Sequence, residues 1–196
     1  MSRQVIPVSQ EQVPEHLRTN RSAFTRWFGR TFYRAIGWNL EGNIADAERV
    51  MIVAAPHTSN WDFVFGISVI LGINARVRWL GKHTVFKFGV TWVFRWLGGI
   101  PVNRAQPDSV MGYVDEAVAK DNGLILVVAP EGTRKKTEKW KSGFLRIAKK
   151  NNCVIQLGAL DFPNKRKTAA SARAGLCLLW PPPLRGAPDL AAPRRL

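Results

Sequence analysis

Residues 49–73 read Arg49-Val50-Met51-Ile52-Val53-Ala54-Ala55-Pro56-His57-Thr58-Ser59-Asn60-Trp61-Asp62, followed by an apolar run from Phe63 to Ile73. Arg49 to Ala55 lacks the polar alternation of a half-wet strand, so it reads as a short strand buried on both faces, as in a parallel sheet. Pro56 closes it. The run from Phe63 to Ile73 reads as a buried helix, with Ser59 or Asn60 available as its cap. Strand, polar turn, helix is the repeating unit of an α/β sheet, and here the polar turn delivers His57 at the strand's carboxyl end.

The chain on either side repeats the alternation. Downstream come a strand over 76–80, an aromatic segment over 85–97, a glycine pair at Gly98-Gly99, and a helix over 109–120. A strongly buried strand over 124–128, a helix over 143–150 and a strand over 154–160 follow. Strands alternating with helices predict one α/β domain, a mixed and mostly parallel sheet flanked by helices. Upstream, Phe24, Trp27, Phe28, Phe32 and Ala35 fall on one arc at helical spacing, while Arg26, Arg30 and Arg34 repeat on another. That pattern predicts an amphipathic helix within 22–40 lying on a membrane surface. Residues 1–21 form a polar segment, 41–168 the main domain, and 169–196 an Ala-, Pro- and Arg-rich tail with the composition of a disordered or frame-shifted end.

The bulk numbers bound the function. With 196 residues the chain has the length of a single domain. Its 2 cysteines, Cys153 and Cys177, lie outside disulfide-framework or zinc-ligand spacing, and neither His16 nor His83 has a ligand neighbour, so no metal is expected. The first residues carry no apolar run of a secretory signal, and no stretch reaches the roughly 18 to 20 apolar residues of a spanning helix. The expectation is a peripheral or monotopic protein on the cytoplasmic face of the inner membrane. A formal charge of +15 points to anionic partners, and 8 Trp beside 10 Phe favour a bilayer surface over nucleic acid.

The chemistry concentrates in three segments. His57 and Asp62 stand five positions apart across a turn into a helix. The carboxylate can accept a hydrogen bond from one imidazole nitrogen, leaving the other as a base for a substrate hydroxyl. Gly98-Gly99-Ile100-Pro101-Val102-Asn103-Arg104 presents an Arg after a short extended piece, and Glu131-Gly132-Thr133-Arg134 does so after the strand over 124–128. Arginine at a strand's carboxyl end suits a phosphate, which its planar fork meets with two hydrogen bonds.

In this order the three segments resemble the glycerolipid acyltransferase family, which contains glycerol-3-phosphate and 1-acyl-glycerol-3-phosphate acyltransferases; the resemblance runs over about 50–162 and includes Trp140-Lys141-Ser142-Gly143-Phe144, as in small bacterial members. It implies that His57 deprotonates an acceptor hydroxyl and Asp62 holds His57. It further implies that Arg104 and Arg134 grip a phosphate and that Glu131, Gly132 and Thr133 shape the acceptor site. The implied acyl donor is a thioester of coenzyme A or acyl carrier protein, the acceptor a lysophospholipid, and the cofactor requirement none. Lys82 and Lys141 are further candidate contacts for phosphate or coenzyme A. Pro56 replaces the Asn frequent before the family's histidine, and the stretch Ile155-Gln156-Leu157 lacks the proline usual in its fourth motif. From the residues alone, a non-catalytic basic module and a thioesterase on the same fold stay open.

Overall fold

Val50 and Met51 are neighbours in strand β2 (Arg49–Ala55), both are fully buried, and they enter different cores on the two faces of one sheet. Ile125 and Leu126 of β5 (Leu124–Val128) divide in the same way. This accounts for the continuous apolar runs: a strand covered on both faces has no wet side to mark with polar residues. The structure, a computed structural model, describes residues 8–55, 60–86, 89–103, 107–121, 123–132, 140–161 and 166–169.

Strand β2 lies between β5 and β6 (Val154–Asp161), parallel to both. Beyond β5 come β3 (Val77–Lys82) and β4 (Gly99–Val102), also parallel. Beyond β6, β7 (Arg166–Ala169) runs antiparallel, and β1 (Asn39–Glu41) pairs parallel to β7. The seven strands take the order β1-β7-β6-β2-β5-β3-β4. This is the mixed, mostly parallel sheet expected from the alternation.

Helices α1 (Ala23–Ala35) and α2 (Asn60–Gly72) cover one face, and α4 (Pro107–Lys120) and α5 (Gly143–Lys150) the other; the short α3 (Thr91–Trp96) precedes β4. Ser22 caps α1 by accepting from the Thr25 N–H at 3.2 Å. The helix takes up only part of the 22–40 span expected for it. Gly37 turns the chain at a φ of 73°, the Trp38 N–H reaches back to the Tyr33 carbonyl, and the Trp38 ring packs 4.9 Å from Phe65. Inward on α1 point Gly29 and Tyr33, whereas Phe24, Trp27 and Phe28 are 70%, 59% and 52% exposed.

Tertiary contacts place two further segments. The polar segment before α1 is pinned to the domain: Val13 and Leu17 are wholly buried, and the Arg76 N–H donates to the Leu17 carbonyl at 2.7 Å. The aromatic stretch over 85–97 is not one element, because Phe86 and Phe94 both turn onto Trp79, at 5.6 and 6.0 Å, on either side of a break between the turn His83–Val85 and α3.

Candidate active site at the carboxyl edge of the sheet

Strands β2, β4 and β5 end at Ala55, Val102 and Val128. The register pairs Val53 with Val128, Trp79 with Val127, and Lys82 with Val102, so these parallel strands finish along one edge. The chain runs on from that edge into each of the three segments singled out in the sequence. Asp62, Glu131 and Gly132 are among the described residues; His57, Arg104, Thr133 and Arg134 lie outside them. In open parallel sheets the carboxyl edge is where ligands bind, since the loops there are free to vary while the strands hold their starting points.

Asp62 sits in the first turn of α2 and is only 5% exposed. The aligned amides at a helix's amino end favour a carboxylate there, which offsets part of the cost of burying it. Trp61, one residue earlier, turns outward at 60% exposure and stacks on Phe65. The helix therefore directs the acid inward and the indole outward.

The glycine pair before Arg104 has a steric cause. Gly98 closes α3 with a φ of 85°, and a Cβ there would stand 1.9 Å from the Val77 carbonyl oxygen. At Gly99 a Cβ would meet the Trp79 ring at 2.6 Å and the Phe94 carbonyl at 2.8 Å. The indole of Trp79, whose N–H donates to the Leu97 carbonyl at 3.1 Å, thus fills the space a side chain on β4 would occupy. The two glycines let β4 lie against β3, which fixes where Asn103 leaves the sheet.

Past β5 the chain turns at Pro130-Glu131-Gly132, with Gly132 at a φ of 63°. The Lys141 N–H donates to the Pro130 carbonyl at 2.9 Å, drawing the two ends of this loop together. The Lys141 side chain lies over Gly132, so that a Cβ on Gly132 would come within 3.1–3.2 Å of its last three atoms. The ammonium group therefore stands at the Glu131-Gly132 turn, and α5 begins two residues later. Lys82 ends β3 on the same edge with His83 directly after it. His83 carries no motif spacing of its own; only the sheet order, with β3 between β5 and β4, brings it into this row.

Across the sheet, β6 is anchored by the buried side-chain amide of Gln156. Gln156 is 1% exposed; its amide donates to the Asn43 carbonyl at 2.7 Å and accepts from the Ala45 N–H at 3.2 Å. It ties down backbone groups of the segment between β1 and β2, a role no sequence pattern announces.

The model of a family described as Acyltransferase matches residues 15–157 of this chain. Among solved structures, the 1-acyl-sn-glycerophosphate (LPA) acyltransferase PlsC from Thermotoga maritima is similar at 22% sequence identity and a TM-score of 0.49, covering 76% of this chain and 66% of that one. The present chain thus spans just under two thirds of that protein. No curated protein matches the chain. The family match takes in well over half of the sequence and all three motif segments, and on that basis the chain belongs to the acyltransferase family.

Proposed function

We propose that the protein is an O-acyltransferase that moves a fatty acyl group from a thioester, of coenzyme A or acyl carrier protein, to the hydroxyl of a lysophospholipid such as 1-acyl-glycerol-3-phosphate. The observation that carries the reading is the common edge at which β2, β4 and β5 end, each followed in the chain by one of the three motif segments. His57 takes the proton of the acceptor hydroxyl while that oxygen attacks the thioester carbonyl. The tetrahedral intermediate collapses with cleavage of the C–S bond, and the thiolate leaves with the proton from the imidazolium. Asp62 holds the imidazole in the basic tautomer and stabilises its charged form. Arg104 and Arg134 bind the acceptor phosphate, with Glu131, Gly132 and Thr133 shaping the site around the glycerol. Holding the phosphate fixes the hydroxyl against the thioester, so positioning supplies part of the rate and no acyl-enzyme is required.

On this reading the reaction takes place at the cytoplasmic face of the inner membrane. Phe24, Trp27 and Phe28 exposed on α1, and Trp92 and Trp96 at 69% and 54% on α3, support surface attachment. Among the described residues no helix is long and apolar enough to cross a bilayer. Mass-spectrometric analysis of products from oleoyl coenzyme A and 1-acyl-glycerol-3-phosphate tests the reading. Diacylated product is expected; free oleate in its place would mean a thioesterase, and unchanged substrates a non-catalytic module.

A further inference from the structure

The arginine column of α1 borders a groove, with Arg26 and Arg30 half-buried and Arg34 exposed. Arg26, Arg30 and Arg34 line a groove of about 440 Å³ between the helix and the Val8-Ser9 segment, with Trp27 and Thr31 on its outer wall. Two of the three are set in place by backbone carbonyls: Arg30 Nε donates to Gly72 at 2.8 Å and Arg26 Nη1 to Arg21 at 2.9 Å. Among the described residues no carboxylate forms an ion pair with any of them. Burial, then the charges of Arg26 and Arg34, pull the Arg30 guanidinium below its ordinary value, with Glu11 opposing weakly. Three guanidinium groups crowded around one groove repel one another, and an anion between them would relieve that repulsion.

The neighbouring surface says which anion. Trp27 belongs both to the groove and to the exposed aromatic arc with Phe24 and Phe28, and its ring lies 5.8 Å from Phe24. Arg21, over the Trp96 ring at 6.0 Å and bonded to the Ala75 carbonyl, joins α1 to the exposed indoles of α3. An apolar surface for acyl chains thus adjoins a cationic groove, as a lipid with a phosphate headgroup requires. The geometry points to a lipid-binding groove on α1 that takes the phosphate headgroup of an anionic bilayer lipid between Arg26, Arg30 and Arg34, apart from the acyl-transfer site. It deepens the membrane-surface reading above and is tested without acyl donor, so its failure and that of the transfer reaction are separately visible.

The test is sedimentation of the full chain with phosphatidylcholine vesicles containing one fifth phosphatidic acid. Joint replacement Arg26→Gln, Arg30→Gln and Arg34→Gln should weaken binding about a hundredfold, the effect of three cations close to an anionic surface. The charge-matched control Lys120→Gln, Lys149→Gln and Lys150→Gln, on the opposite face of the sheet, should weaken it less than about threefold. Because Arg26 and Arg30 also hold backbone, Arg34→Gln alone is the second variant, with an expected loss of about fivefold. Equal losses in the two triple variants, or none in either arginine variant, would overturn the groove as diffuse charge. Inorganic phosphate that displaces the protein from vesicles at chloride-matched ionic strength would also overturn it, as a site for free phosphate.

Discussion

Asp62 is almost fully removed from water in a helix's first turn, a position that fixes a carboxylate more tightly than a surface loop would. In the proposed mechanism its value is to the transition state, where His57 becomes charged. Asp62→Asn, nearly identical in shape, should therefore lower kcat by about 10²–10⁴-fold with little change in either KM, as steady-state kinetics would show. A loss confined to KM would remove Asp62 from that role. The arginines give the opposite signature. Arg104→Ala or Arg134→Ala removes charge-assisted hydrogen bonds to the acceptor, and its KM should rise about 10–100-fold while the donor's hardly moves. Equal changes in both would contradict the phosphate assignment.

Among the elements, α1 is the most informative, because its seating on α2 depends on a residue without a side chain. A Cβ on Gly29 would meet the Gly72 nitrogen at 2.7 Å and the Ser68 carbonyl at 2.8 Å, both rigid helix backbone. Gly29→Ala should cost about 1–3 kcal/mol, visible as a fall in Tm of about 3–10 °C. Four residues on, burial pushes the Tyr33 phenol far above its ordinary value. The folded chain keeps that proton where the unfolded chain releases it near pH 10, so folding stability is full below that pH and falls as pH rises past it. Urea titrations above about pH 10 should show a smaller decline in Tyr33→Phe. The same elements show what a sequence can disclose. Leu124–Val128 and Gly143–Lys150 were legible to the residue, because an unbroken aliphatic run and a clear helical period leave few alternatives. Isolated Val13 and Leu17 among polar residues have no period to read, and the inward turn of Phe86 and Phe94 depends on Trp79, which belongs to a strand whose place only the sheet order defines. The motif segments were legible as chemistry, and Lys82 was named as a candidate contact, while the place of His83 beside them was not.

For the whole molecule, a formal charge of +15 and two exposed aromatic surfaces make attachment to anionic membranes a matter of salt as well as sequence. Replacing Phe24, Trp27 and Phe28 by Ser should weaken vesicle binding without lowering Tm, since none of the three supports the core; a lower Tm would show that this arc is structural. Charge and exposed indoles suit a chain for a surface, but they do not establish a reaction, and the central claim is the transfer of an acyl group at the edge where β2 ends, with His57 as the base. The most direct measurement is thiol release from oleoyl coenzyme A by detergent-purified protein, with and without 1-acyl-glycerol-3-phosphate, beside His57→Ala. Release that depends on the acceptor and disappears in the variant is the predicted result, and release that ignores the acceptor or survives the loss of His57 would contradict it.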